Sequence, residues 1–365
     1  MRTFAAGLSS VLLAAAGFNL WANPGGLWRG PALPPLAPWS EGQVLVTPPD
    51  FDERGFQARR VAALEAGPRV LVLGGSRAAL VDSRMAPDGL FLNAWMSGIA
   101  MSDYAALWQK TLDARKTPER LILFIDPEAL ASPKHARISW NCDTAALSRF
   151  IVSQLGADAL RKVLKQVVML PLDRTLMLIT SSVLQASWAE MRRRATLGAR
   201  DFRLVPESSL AAHEYGRRPD GALVYPARHL AAKAASTLRD EARAAYDRGL
   251  EGTDLGGYAI DDFSMKLLVG VVSSARRSAD SVTLVAPPYH PAALEALERR
   301  HPGLISAYLG ALSSAAAATG AVFCDRHDAA RAGCAEGEFL DERHARRSCI
   351  AKVMAGCVPK NPIKS

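Results

Sequence analysis

The stretch Val70-Leu-Val-Leu-Gly-Gly-Ser-Arg-Ala-Ala-Leu80 decides the fold. Four consecutive apolar residues, closed by a Gly-Gly pair, read as a short strand buried on both faces and stopped by a turn. Strands of that kind belong to parallel sheets covered by helices rather than to half-exposed antiparallel ones. Working outward, the same signature recurs at Leu90-Phe-Leu-Asn93, Leu121-Ile-Leu-Phe-Ile125, Ser281–Ala286 and Ala321-Val-Phe-Cys324. Helical patterns fall between them: one ending over Arg60–Ala66, then Ser102–Asp113, Pro291–Arg300, Leu304–Thr319 and a last one from near Arg343 to Gly356. The alternation predicts an α/β protein with a mostly parallel sheet and helices on both faces. Residues from about 144 to 200 and from 226 to 248 are Ala-, Leu- and Arg-rich with helical period, separated by the turn signal Arg218-Pro-Asp-Gly221. A helical insertion at about 140–260 is expected, either walling a substrate cleft or packing on the flank.

At 365 residues, with 49% hydrophobic and 22% charged side chains, the chain has ample material for a large core. Wholesale disorder is excluded, and so is a polytopic membrane protein, because only one segment is continuously apolar. The net charge of +8 favours anionic partners. No run of basic residues interleaved with aromatics is present, so no nucleic-acid partner is expected. Arg192-Arg-Arg194 and Arg343, Arg346 and Arg347 are either solvated helix faces or contacts for an anionic glycan.

The apolar segment, Phe4–Trp21, follows Met1-Arg2 and carries no charge. It reads as an uncleaved membrane anchor or a signal peptide, although Leu20-Trp21-Ala22 is a poor cleavage site. Either way the remainder is expected outside the cytoplasm, on the periplasmic face of a bacterial inner membrane or exported. The expected organisation is an anchor over 1–23, a Pro/Gly-rich connector over 24–50, an α/β domain over 51–357 and a tail over 358–365. Of five cysteines, Cys324, Cys334, Cys349 and Cys357 lie in the last 42 residues, which reads as a disulfide-stapled lobe with three pairings open. Cys142 is the odd one. No Cys/His spacing suggests a metal, and no Gly-rich phosphate loop is present, so neither metal nor cofactor is expected.

Ser76 follows a buried strand, at the sheet edge where α/β proteins gather their reactive groups. A helix starting there would offer unpaired N–H groups to a developing oxyanion, and Gly74 and Gly75 would let a substrate approach the backbone. A serine nucleophile needs a base, and the base an orienting group. Asp341-Glu-Arg-His344 supplies both, on one face if the segment is a helical turn. Tyr289 and His290 follow the strand Ser281–Ala286 and, with Arg77, are candidate substrate contacts, a structural turn being the alternative for His290. Asp261, Asp262 and Ser264 read as a helix cap.

Taken together, these blocks resemble the SGNH (GDSL-like) hydrolase superfamily, and more narrowly its membrane-anchored, exported bacterial members. Val72-Leu-Gly-Gly-Ser-Arg77 is similar to the nucleophile block, with Gly-Gly-Ser in place of the commoner Gly-Asp-Ser. Asn93-Ala-Trp-Met-Ser-Gly98 with Asp103-Tyr104 is similar to the block whose glycine helps form the oxyanion hole. Asp341-Glu-Arg-His344 is similar to the C-terminal acid–base block, and Phe18-Asn-Leu-Trp-Ala-Asn-Pro24 resembles the segment after the anchor. These blocks cover about 40% of the chain, over roughly 68–130 and 280–355. The resemblance implies a three-layer α/β/α fold and ester chemistry without a cofactor. Ser76 would attack the carbonyl, His344 act as base and then acid, and Asp341 orient His344. The N–H groups of Ser76 and Gly98 would hold the oxyanion. The family's third donor, an asparagine after the third strand, is replaced here by Phe124-Ile-Asp-Pro127, which leaves Asn93 as a substitute or the hole weaker. Three functional readings follow. The first is a hydrolase or O-acyl (acetyl) transferase on acylated or anionic envelope or exopolysaccharide carbohydrate. The second is an inactive glycan-binding or scaffold protein of the same fold. The third, a cytosolic nucleotide-binding protein, is disfavoured by the missing phosphate loop.

Overall fold

A computed structural model describes residues 2–22, 39–47, 51–86, 89–130, 142–161, 178–197, 202–231, 233–247 and 259–358. Strands β2 (Val70–Gly74), β3 (Phe91–Asn93), β4 (Arg120–Phe124), β8 (Ser281–Ala286) and β9 (Val322–Asp325) form one all-parallel sheet in the order β3-β2-β4-β8-β9. The chain is thus α/β, and all five sheet strands coincide with the apolar runs of the sequence.

Alternation along β2 explains why the run is apolar throughout. Leu71 and Leu73 enter one core with Leu121, Leu123, Val282 and Leu284. Val70 and Val72 enter a second core with Ile122, Phe124 and Val285. Each face needs its own cover. The first core is closed by helices α2 (Glu53–Ala63), α3 (Met101–Asp113), α4 (Thr144–Leu155), α7 (Asp262–Arg276) and α9 (Leu304–Thr319). The second is closed by Ile350, Val353 and Met354 of α10 (Arg347–Cys357) and by Leu238 of α6 (Ala235–Asp247). Helix α8 (Pro291–Arg300) starts at His290, and α7 is capped by Asp261, whose side chain accepts from Ser264 N–H as the sequence suggests.

The insertion departs from its expected all-helical form. Helices α4, α5 (Ser181–Leu197) and α6 are present, but β5 (Arg203–Pro206), β6 (Gly216–Arg217) and β7 (Leu223–Val224) lie among them. They pair antiparallel with β1 (Gln43–Val46) in a second sheet, ordered β5-β1-β6-β7. Strand β1 falls inside the segment expected to be a connector; the rest of that segment up to residue 38 lies outside the described residues. Arg218–Gly221 is the β6–β7 turn. Gly221 has φ +94°, and a Cβ there would meet the Asn93 carbonyl oxygen at 2.0 Å, so glycine is required.

Helix α1 (Arg2–Ala22) covers the apolar segment and packs against α5, with Asn19 Nδ2 donating to the Leu178 carbonyl and Ser187 Oγ donating to Asn19 Oδ1. Among the described residues no helix is long and apolar enough to cross a membrane. The C-terminal cysteines pair as Cys324–Cys357 and Cys334–Cys349, leaving Cys142 buried and free.

Candidate active site

Ser76 stands where β2 ends. A three-residue 3₁₀ turn, Ser76–Ala78, follows instead of the expected helix. The carbonyls that a helix would use are taken from outside: Asn93 Nδ2 donates to Ala78 O and Val81 O, both at 2.8 Å, and Leu223 N–H donates to Ala79 O. The two glycines before Ser76 serve packing rather than substrate access. A Cβ at Gly74 would meet Ala78 Cβ at 2.7 Å and Phe124 Cβ at 2.8 Å, and one at Gly75 would meet Asp126 Oδ2 at 2.5 Å.

His344 reaches this turn from 268 residues away, its Nε2 lying 2.8 Å from Ser76 Oγ. Asp341 contacts the other ring nitrogen, with Oδ2 at 2.8 Å and Oδ1 at 2.9 Å from Nδ1. The expected helical turn is absent here, because α10 begins only at Arg347. Instead Asp341 Oδ1 accepts from the N–H groups of Arg343 and His344, while Leu340 N–H donates to the His344 carbonyl. This tight loop points acid and base the same way without helical geometry. Burial pushes the Asp341 carboxyl up, but the bonds from His344 and the two backbone N–H groups outweigh it and bring it down to about 2. The loop is fixed at three further places: His290 N–H donates to Glu342 O, Arg346 N–H donates to Glu338 O, and the Cys334–Cys349 disulfide encloses it.

A cleft of about 320 Å³ opens beside Ser76. Its walls are Phe51, Trp95, Tyr215, Leu223 and Tyr225, with Thr47 and Ser97 at its polar margin and an Arg217–Glu53 ion pair within it. The Arg217 guanidinium lies 4.0 Å from the Trp95 ring centre and 4.8 Å from that of Phe51. Arg217, Tyr215, Leu223 and Tyr225 come from the insertion, whose contribution to the site is therefore its small sheet. No composition or motif marked these residues. Two-residue strands have no periodicity to read, and Arg217 looks like any other surface arginine until its pairing is known.

Three candidate contacts are corrected by the structure. The Arg77 side chain is 3% exposed, pairs with Asp126 at 3.0 Å, donates to Pro287 O and lies 3.9 Å from the Tyr289 ring centre. It braces the turn from beneath and faces no substrate. Tyr289 is fully buried. His290 is also buried; burial pushes its pKa down, and the ring's Nδ1 accepts the Ala292 N–H as the cap of α8. Asn93 is corrected as well. Its Nδ2 is spent on two carbonyls and its Oδ1 accepts from Trp95 N–H, so it has no donor left for an oxyanion. Asp126, in the segment Phe124–Pro127 that follows β4, is held by Arg77.

Gly98 sits in a turn with Ser97, at φ +55° and with open space around its α-carbon. The C-terminal arginines are structural: Arg343 pairs with Glu128 and Glu342, Arg346 donates to Phe339, Leu230 and Ala231 carbonyls, and Arg347 pairs with Asp82. Arg192 lies over the Trp188 ring at 5.7 Å. Among the described residues no group of three or more His, Cys, Asp or Glu is placed to hold a metal. No family model matches the chain, and no curated protein is detectably similar to it.

Proposed function

We propose that this protein is a serine ester hydrolase or O-acyl (acetyl) transferase of SGNH type, acting on cell-envelope or exopolysaccharide carbohydrate. The observation that carries the reading is the Ser76–His344–Asp341 chain, with successive contacts of 2.8 Å and 2.8 Å at a strand end beside a cleft. His344, oriented through Nδ1, takes the Ser76 proton as Oγ attacks the ester carbonyl, and returns it to the departing sugar oxygen. Water or a second hydroxyl then receives the acyl group. The Ser76 and Gly98 N–H groups are the oxyanion donors of this scheme. Helices covering both faces of a parallel sheet fit the three-layer family arrangement. The aromatic walls and the internally neutralised Arg217–Glu53 pair suit a neutral acylated sugar more than an anionic group at the reacting centre. The apolar N-terminal segment and two disulfides favour a chain held at the outer face of the cytoplasmic membrane.

A serine-reactive fluorophosphonate tests the reading. Wild type should label at Ser76, and Ser76→Ala should not. His344→Ala should label at least about 10³-fold more slowly, because triad members act as a unit. Wild-type protein that neither labels nor hydrolyses p-nitrophenyl acetate would favour the second reading, a glycan-binding scaffold. Asp126 at the position of the family's asparagine donor, and Asn93 already committed elsewhere, are what support it.

A further inference from the structure

The turn bearing Gly98 is gripped by the first two residues of α2, and this grip sets which way its N–H points. Arg54 Nη2 donates to Ser97 O at 3.3 Å and Gly98 O at 3.1 Å. Its guanidinium also forks onto Asp103, with Nε–Oδ1 at 3.0 Å and Nη2–Oδ2 at 2.9 Å. Asp103 is 1% exposed and accepts the Ala100 N–H as well, so the fork is fixed at its base. On the neighbouring peptide, Glu53 Oε2 accepts the Ser97 N–H at 2.5 Å while Oε1 pairs with Arg217.

A trans peptide is planar, with its carbonyl and N–H on opposite edges. Holding Ser97 O therefore holds the Gly98 N–H, because both belong to the same plane. Arg54 and Asp103 border a small recess with Met96 and Asp143, whereas Ser97 borders the cleft that contains Ser76. With the carbonyl drawn towards Arg54, the N–H is turned away from that recess. Gly98 alone of the two turn residues has positive φ, as in a type II turn. Rotating this one peptide would give the type I alternative, reversing the N–H with little movement elsewhere.

We infer that Arg54, steered by Asp103, is a positioning residue that locks the Ser97–Gly98 peptide with its N–H presented to the oxyanion, Glu53 fixing the preceding peptide. The inference rests on the serine-hydrolase reading above. Arg54→Lys keeps a positive charge beside Asp103 but loses the fork, so one ammonium cannot serve both the carboxylate and the two carbonyls. The expected result with p-nitrophenyl acetate is a kcat lower by about 10²-fold, the cost of one oxyanion donor, with KM unchanged. Gly98→Ala should behave alike, because a Cβ disfavours left-handed φ; Gly98→Asn, which tolerates that region, should recover most of the loss. A Cβ at Gly98 would meet nothing within 4 Å, so the cost of either variant is the backbone strain of its positive φ and not a clash. Should Arg54→Lys fail to fold, Arg54→Gln combined with Asp103→Asn gives a neutral pair with the same expected loss. If Ser76 labels normally and these variants keep wild-type kcat, the positioning role is overturned while the hydrolase reading stands. If wild-type Ser76 does not label at all, both fall.

Discussion

Removing the Cys334–Cys349 disulfide should loosen the loop that carries Asp341 and His344 before it loosens anything else. The bond spans a sequence separation of 15 and encloses both residues. Closing a loop of that size lowers the entropy of the unfolded chain by an amount equivalent to about 3 kcal/mol at 25 °C. With a urea slope at the upper end of the usual range, about 3 kcal/mol/M, the midpoint of Cys334→Ala/Cys349→Ala should fall by about 1 M. Both sulfurs are buried, so the double alanine variant is a cleaner perturbation than reductant. The bonds from His290 N–H and Arg346 N–H remain, and the sheet, which neither cysteine enters, should keep its circular dichroism. Fluorophosphonate labelling of Ser76 should slow well below the midpoint, because His344 is the partner held by the loop. The comparison variant, Cys324→Ala/Cys357→Ala, removes a bond of separation 33 and should cost about 3.7 kcal/mol by the same relation. That bond ties β9 to the end of α10, so its loss should track global unfolding. Equal labelling rates for wild type and the Cys334/Cys349 variant, at a midpoint already lowered by about 1 M, would refute the link between this bond and the base.

Asn93→Ala should destabilise rather than specifically slow chemistry, because it strands the Val81 carbonyl and the Trp95 N–H and leaves Ala78 O with the Val81 N–H alone; a loss of about 3 kcal/mol in denaturant melts, with residual kcat on the folded fraction, is expected. With the Asp341 carboxyl held near 2, below its unfolded value of about 3.9, its contribution to stability is fully present above that unfolded value and fades as pH falls towards 2. Asp341→Asn should therefore flatten the acid limb of the stability profile below about pH 4, measured by thermal melts across pH. An alkaline phosphatase reporter fused after Trp39 should be active in a bacterial host; a well-expressed but inactive fusion would place the domain in the cytoplasm.

The large sheet was legible because its strands are buried on both faces, and continuous apolar runs such as Val70–Leu73 and Leu121–Ile125 survive without any neighbour's help. Ser76 stands at the end of such a run; Asp341 and His344 do not, and are marked in the sequence only by their three-residue spacing ahead of the last helix. The small sheet was not readable. Its strands are two to four residues long, β5 is largely exposed, and β1 pairs with residues about 160 positions away. Arg77, Tyr289, His290 and Asn93 stand beside the site in sequence and strand position, yet their polar atoms face inward. Only the partners decide this: Asp126 for Arg77, the Ala292 N–H for His290, and two turn carbonyls for Asn93. Cysteine count and clustering point to a stapled C-terminal lobe, but the pairing depends on which sulfurs the fold brings together, Cys324 with Cys357 and Cys334 with Cys349.

The sequence separation of 268 between Ser76 and His344 has a consequence for biogenesis. A ribosome adding roughly 5–20 residues per second needs about 13–54 s to travel from Ser76 to His344. Throughout that interval Ser76 is without its imidazole partner, and until Leu223 is made its turn lacks one of the donors that hold it. His344 is made 268 residues after Ser76, within a loop whose enclosing cysteines are the second and third of the four that pair. The pairing of Ser76 with His344 thus waits for the synthesis and oxidation of that loop, so that a polypeptide truncated before it, or still reduced, lacks the imidazole held against Ser76.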